Sequence, residues 1–180
     1  VQICDFEKDR ALEAHINSIY PEGGGGGQTY ESYELFAYYY LHHCELPKAQ
    51  KALFVYCGDE GFYEKIQPMH VKKYFGEDLD AEVDSYKTFE DLGRKFDVYN
   101  LRVEYSDKAK DAEIRKQWQK AIGPQRVLRL EDPRRIVDCV LGLTALAANE
   151  YQQFQDRLAK RQTTDQVDQV VKTLHPLLPG

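Results

Sequence analysis

The sequence predicts an α/β fold, with a mainly parallel, doubly wound sheet, helices on both faces and a helical extension at the C-terminus. Short apolar segments without polar alternation recur between longer segments with helical spacing. Strands of this kind are buried on both faces, as in parallel sheets. A glycine run, residues 23–27, precedes a helical segment, and a carboxylate, Asp59, follows an apolar strand. In open α/β sheets, these are the places where ligands bind.

The elements follow in order along the chain. The apolar spacing predicts helices over residues 9–19, 60–78, 85–96 and 107–121, and a long helix from Asp132. It also predicts a helix that starts at either Thr29 or Ser32 and runs to about Cys44. Pro68 weakens the helix predicted at residues 60–78, and Gly76 is a candidate for its end. Buried strands are predicted over residues 1–6, 52–57, 97–103 and 126–130. We therefore expect an α/β domain over residues 1–149 and a helical extension over residues 150–180, interrupted near Thr163.

Composition excludes several classes of function. The net charge of -6 argues against nucleic acid as a partner, because phosphate binding needs a basic surface. No apolar run approaches the roughly 18 residues of a membrane-spanning helix. The four cysteines form no CxxC pair, and Cys57 and Cys139 lie in apolar segments, which predicts reduced core thiols in a cytoplasmic protein. The sequence begins at Val1 with strand-like residues, so we expect a segment to precede it, and no signal peptide.

The polyglycine run and its surroundings resemble the von Willebrand factor A-like domain. The match rests on residues 23–27 followed by "QTYESYEL", on the strand "LFVYCGDE", and on the later pattern from Trp118 through "GPQRVLRLEDP". It covers about residues 1–148 and is closest to a bacterial-type subgroup of that family. The resemblance implies a Rossmann-like sheet and a function in binding a protein partner.

The resemblance also implies a site for a divalent cation, usually Mg²⁺, at the carboxyl edge of the sheet. In the family, an Asp-x-Ser-x-Ser loop, a threonine after a glycine turn and an aspartate at a strand end supply the ligands. Asp59 corresponds to the aspartate, and either Gln28 or Thr29 to the threonine. Hard oxygen donors suit Mg²⁺. The Asp-x-Ser-x-Ser sequence does not occur in this chain, which puts the cation site and the central strand in question.

Each of these features also has a purely structural interpretation. The glycine run could be a flexible linker, and it is equally a candidate ligand loop through Gly24, Gly25, Gly26 and Gly27. Asp59 could cap the following helix, although we favour a binding role. Glu60 is expected to face solvent or to support Asp59, while Glu31 and Glu34 are expected to offset a helix dipole.

We therefore expect a non-enzymatic protein-binding module that uses the loops at residues 23–29 and 58–60, with Mg²⁺ as its cofactor. The first alternative is a cation-dependent hydrolase or transferase that uses Asp59 and Glu60. The second is a structural assembly subunit with a vestigial metal site, which forms oligomers through the helices of residues 150–175. Neither a Gly-x-Ser-x-Gly motif, a P-loop nor a dinucleotide fingerprint is present.

Overall fold

The structure is a computed structural model that describes residues 2–4, 7, 10–21 and 29–178. Helices and strands alternate along most of this part of the chain. The helices are α1 (Arg10–Ser18), α2 (Tyr33–His43), α3 (Pro68–Phe75), α4 (Ser85–Lys95), α5 (Lys108–Ile122), α6 (Ile136–Ala147), α7 (Tyr151–Ala159) and α8 (Thr164–Leu174). The strands are β1 (Tyr30–Glu31), β2 (Leu53–Gly58), β3 (Gly61–Phe62), β4 (Lys65–Ile66), β5 (Val83–Asp84), β6 (Asp97–Arg102) and β7 (Val127–Arg129). Short 3-10 helices cover Pro124–Arg126, Pro133–Arg135 and His175–Leu177.

The sheets are small and mostly parallel. The largest has the strand order β2-β6-β7, and all its pairings are parallel. Strand β1 pairs in parallel with β3, whereas β4 and β5 are antiparallel. The predicted α/β class, the parallel pairing of the three predicted strands and the helical C-terminal region are therefore confirmed. The larger doubly wound sheet of a von Willebrand A-like domain stays a prediction.

Two hydrophobic clusters lie on opposite faces of β2, because successive side chains of a strand point to opposite sides. Phe54 and Tyr56 belong to a cluster with α2, α4 and α5, in which Trp118 is fully buried. Leu53 and Val55 belong to a cluster with α6, α7 and α8. The sheet thus packs against helices on both sides.

Local sequence signals explain where several helices begin and end. Asp84 accepts a hydrogen bond from the Lys87 N–H and starts α4, and Asp107 starts α5 in the same way. Helix α8 begins with a capping box between Thr163 and Gln166. Helix α3 ends at Gly76, whose φ of 78° lies in the left-handed region that glycine adopts without strain.

The prediction of one helix over residues 60–78 is wrong in its first half. Strands β3 and β4 occupy that half, and the helix begins only at Pro68. Proline favours the first turn of a helix and holds the preceding residue, Gln67, in an extended conformation. Of the strand predicted at residues 1–6, only residues 2–4 lie in the described part, and they form no strand there.

The cysteine prediction is correct for Cys139, which is fully buried, and wrong for Cys57, which is exposed. Cys57 lies in β2, and the edge of β2 that faces away from β6 is not covered by a described strand. No disulfide forms among the described cysteines.

The C-terminal helices bury their apolar side chains against the sheet. Phe154, Leu158 and Leu174 share one buried cluster with Leu101 of β6 and Leu128 of β7. Among the helices that the structure describes, none is both long enough and apolar enough to cross a lipid bilayer.

Candidate functional site

The candidate site lies where β2 and β6 end at the same edge of the parallel sheet. Strand β2 ends at Gly58 and is followed by Asp59 and Glu60, while its neighbour β6 ends at Arg102. Parallel strands bring their carboxyl ends together, and ligands of open α/β sheets bind outside these ends. The carboxylates after β2 therefore lie at the expected edge.

A buried ion pair holds the backbone at Asp59. Arg102 donates one hydrogen bond to the Asp59 carbonyl oxygen at 3.0 Å and another to Asp111 Oδ1 at 2.7 Å. Both side chains of the pair are largely buried. Asp111 also accepts the Tyr105 N–H, and these contacts with the guanidinium and the backbone lower the pKa of Asp111 although burial opposes them. The pair therefore fixes where the chain leaves β2.

Hydrogen bonds also fix the backbone of residues 60–62. Trp118 Nε1 donates to the Glu60 carbonyl oxygen at 2.9 Å, and the Gly61 N–H donates to the Thr29 carbonyl oxygen at 2.9 Å. The Gln117 amide both accepts from the Phe62 N–H and donates to the Phe62 carbonyl oxygen. Hydrogen bonds join the backbone of residues 59–62 to three other parts of the structure. The side chains of Asp59 and Glu60 therefore project from a rigid backbone.

Three carboxyl groups gather at this edge. The carboxyl of Glu60 lies within hydrogen-bonding reach of that of Glu31, and Asp59 lies close enough to add its charge. Burial, followed by the charges of Glu31 and Asp59, raises the pKa of Glu60 to about 7. One proton is therefore bound or released in this group near neutral pH.

A tyrosine lies against the same group. The Tyr33 ring contacts Gly58, where any side chain would overlap the phenol oxygen. Burial, together with the charges of Glu60, Glu31 and Asp59, raises the pKa of Tyr33 above its ordinary range. The phenol therefore remains protonated and can donate a hydrogen bond at the site.

A cavity of about 480 Å³ opens beside the carboxyl pair. Its walls include Glu31, Ser32, Tyr33 and Glu60, together with the apolar Phe36. Acceptor oxygens, a phenol donor and an aromatic wall therefore face one space. This combination suits a small polar group or a hydrated cation better than an apolar ligand.

Glu34 lies in the first turn of α2, three residues after Glu31, and it is only 2% exposed. Its carboxylate accepts the Tyr63 N–H at 3.2 Å. Burial nevertheless raises its pKa to about 7. The expectation that Glu31 and Glu34 offset a helix dipole is therefore incomplete: Glu31 precedes α2 in β1 and pairs with Glu60, and Glu34 is a buried acid.

The structure does not bring together all the residues that the sequence analysis assigns to one site. Thr29 reaches the edge through its backbone, but it lines a different cavity, of about 410 Å³, together with Tyr30 and Lys110. Gly24, Gly25, Gly26, Gly27 and Gln28 lie outside the described residues. Asp59 and Glu60 are half-buried at the sheet edge. The assignment of Asp59, Thr29 and Gln28 as ligands stays a prediction.

Sequence reasoning missed two contributors. Arg102 is a charged residue inside the apolar strand "YNLRV", and a charge at such a position signals a buried partner. Glu31 gives no such signal, because its contact with Glu60 depends on the pairing of β1 with β3.

The carboxyl groups fit a divalent cation only in part. Carboxylate oxygens are suitable ligands for Mg²⁺, and the Glu31–Glu60 pair offers two. Within the described residues, however, no three His, Cys, Asp or Glu side chains converge as a metal site would require. Water or a ligand from another molecule would have to fill the remaining positions.

Comparison with known proteins gives no family. No family model, no curated protein and no solved structure matches the chain.

Proposed function

We propose that this protein is a non-enzymatic binding module that engages a protein partner at the carboxylate edge of its parallel sheet, with a divalent cation between them. The observation that carries the proposal is the Glu31–Glu60 carboxyl pair beside Asp59. Clustered acids repel one another when ionised, so a group of carboxyls on a rigid backbone favours a role in which a proton or a cation neutralises them.

Glu31 and Glu60 would hold the cation, with Asp59 adding charge from the adjacent position. Mg²⁺ keeps several waters in proteins and is often held by only one or two carboxylates. The cation would supply positive charge at an acidic edge, and so allow an acidic group of a partner to bind there. The von Willebrand A-like relationship suggested by the sequence is consistent with this use of the edge and belongs to the same proposal.

The proposal has a pH dependence with a defined sign. A cation competes with the proton that Glu60 carries below a pKa of about 7. Binding should therefore be strongest above neutral pH, and about tenfold weaker at pH 6 than at pH 8, where the group is mostly ionised. Each cation bound near pH 7 should release about half a proton on average, because Glu60 is then half protonated.

Calorimetric titration with Mg²⁺ and Mn²⁺, at pH 6 and pH 8, tests this. We expect Glu60→Gln and Asp59→Ala to weaken cation binding while the far-ultraviolet circular dichroism stays unchanged. Glu113→Gln, an exposed position on α5, is the matched control and should bind like the wild type. Absence of binding at pH 8, or equal binding by wild type and Glu60→Gln, would contradict the cation-dependent function.

One observation favours a second function, a cation-dependent hydrolase or transferase. A carboxyl with a pKa near 7 is well matched to general acid–base work at neutral pH. A screen of ester and phosphoester substrates with Mg²⁺ and Mn²⁺ distinguishes the enzyme from the binding module. Turnover that disappears in Glu60→Gln would favour the enzyme, and cation binding without turnover would favour the binding module.

A further inference from the structure

Helix α6 exposes an uncharged stripe along its outer side. Val137 is 64% exposed and Leu141 is 43% exposed, and Thr144 and Ala148 are exposed further along the same side. The Thr144 hydroxyl donates to the Val140 carbonyl oxygen at 2.9 Å, so it is already satisfied within the helix. By contrast, the exposed positions of α5 and α7 are mostly charged or amide residues. An exposed apolar surface of this kind indicates a contact with another molecule.

The spacing of the stripe is that of a contact between two helices. Val137, Leu141, Thr144 and Ala148 follow one another at intervals of four, three and four residues. This alternation keeps side chains in one line along a helix, and it is the seam along which the helices of a coiled coil pack. The stripe is about 16 Å long, so a helix of about three turns covers it.

Helix α7 forms one wall of a groove along this stripe. A cavity of about 370 Å³ lies between the two helices, and α7 contributes Phe154, Arg157 and Arg161 to its lining. Arg157 lies 3.9 Å from Glu150, and its side chain makes no hydrogen bond to the part of the chain that the structure describes. Arg161 uses only its Nη2 for the buried Asp138. Two arginines and one exposed carboxylate therefore line the groove, and their net charge is positive.

The described N-terminal residues lie on the other side of the sheet. Gln2 lines a cavity with Phe36 of α2 and hydrogen-bonds to Tyr20, just after α1. Thr29 lines a cavity with Ile114 of α5. Helices α2 and α5 belong to the hydrophobic cluster on the face opposite α6. The stripe on α6 therefore lies away from these residues.

We propose that an amphipathic helix of another protein, apolar on one side and acidic along one flank, docks in the groove between α6 and α7. Its apolar residues cover the stripe, and its carboxylates face Arg157 and Arg161. Helices that bind in grooves use apolar anchors at i, i+3 or i+4, and i+7, which match the spacing of Val137, Leu141 and Thr144. This surface is separate from the carboxylate edge and needs no cation.

The charge of the lining selects an acidic helix over a second copy of this chain. A twofold contact brings the same surface of both copies together. Here it would place Arg157 and Arg161 of one copy near those of the other, and like charges across an interface disfavour association. An acidic flank instead gives both arginines a carboxylate, because their guanidinium groups still have unused donors.

Fluorescence anisotropy with labelled helical peptides of about 15 residues tests the proposal. The acidic probe has leucines at i, i+4, i+7 and i+11, glutamates beside them on one flank, and alanines elsewhere. The basic probe has lysines in place of the glutamates. In EDTA, so that the carboxylate edge holds no cation, the wild type should bind the acidic probe about tenfold more tightly than the basic probe.

Two substitutions in the groove should change this affinity. Leu141→Asp should weaken binding of the acidic probe about tenfold, because it places a charge in the middle of the stripe. Met69→Asp, at an exposed apolar position on α3, is the matched control and should have no effect. Arg157→Glu should weaken the acidic probe about fivefold and strengthen the basic probe, whereas Lys73→Glu, exposed on α3, should change neither.

Glu60→Gln should bind the acidic probe like the wild type, which distinguishes this proposal from the cation-dependent function. Equal binding of the two probes, absence of binding by the acidic probe, or unchanged affinity in Leu141→Asp would overturn it. A wild-type dimer in sedimentation velocity that Leu141→Asp dissociates would also overturn it, because a second copy would then occupy the groove.

Discussion

Replacing Glu34 by glutamine should make the protein more stable at pH 8 and leave it nearly unchanged at pH 4.5. Glu34 is buried, and its pKa rises from 4.5 to about 7 in the folded protein. Between these values the folded state keeps a proton that the unfolded state has released. The free energy of unfolding therefore falls as the pH rises through this window, and the loss is complete above pH 7.

The size of this stability change follows from the shift in the pKa of Glu34. A change of about 2.5 in pKa corresponds to roughly 3 kcal/mol of unfolding free energy per molecule. Glutamine keeps an acceptor oxygen for the Tyr63 N–H, which the carboxylate accepts in the wild type. For a chain of 180 residues, the gain at pH 8 corresponds to about 6 to 12 °C in Tm.

Urea denaturation of Glu34→Gln and wild type, at pH 4.5, 6 and 8, measures the difference directly. Glu113→Gln serves as the control, because an exposed acid should show no such pH-dependent gain. A stability difference between Glu34→Gln and wild type that is the same at pH 4.5 and pH 8 would refute the reasoning, since no proton would then be linked to folding at Glu34.

Two further predictions concern the support of the site and the C-terminal region. Asp111→Asn should destabilise the fold by about 3 kcal/mol, because it leaves the buried charge of Arg102 without its counter-charge. Asp78→Asn is the control: Asp78 belongs to an exposed ion pair, so this change should alter the free energy of unfolding by less than about 1 kcal/mol. Chemical denaturation measures both, and equal effects would contradict the argument. A chain that ends at Asn149 should lose cooperative thermal unfolding and bind the dye ANS, because α7 and α8 cover the apolar face of the sheet. Cooperative unfolding at the wild-type temperature would show that this cover is dispensable.

The three strands of the largest sheet and most helices could be predicted because their signals are local. The apolar strand before Gly58 and the glycine after α3 depend only on neighbouring residues. Residues 61–66 were predicted as helix because Tyr63 and Ile66 have helical spacing, but they form short strands that pair with β1 and β5. Pairing with distant segments carries no periodic signal in so short a stretch.

The position of Asp59 at the end of a parallel strand could be predicted from the sequence, but the side chains that gather around it could not, and its role as a ligand stays a prediction. A carboxylate after a parallel strand indicates the edge, so Asp59 could be found from the sequence. The contact of Glu60 with Glu31 depends on long-range pairing, as does the hydrogen bond from Arg102 to the Asp59 backbone. The exposure of Cys57 was missed for a related reason, since an apolar strand gives no sign of which of its edges stays open.

Trp118 gives the protein a built-in fluorescent probe of the sheet edge that carries Asp59 and Glu60. It is the single tryptophan of the chain, and its indole is fully buried among the rings of Tyr33, Tyr56, Phe62 and Phe89. The same indole donates its N–H to the Glu60 carbonyl oxygen. Its emission therefore comes from one environment, which includes the Glu60 carbonyl oxygen and the Tyr33 ring of the candidate site. Occupancy of the site can thus be followed in real time without any attached label.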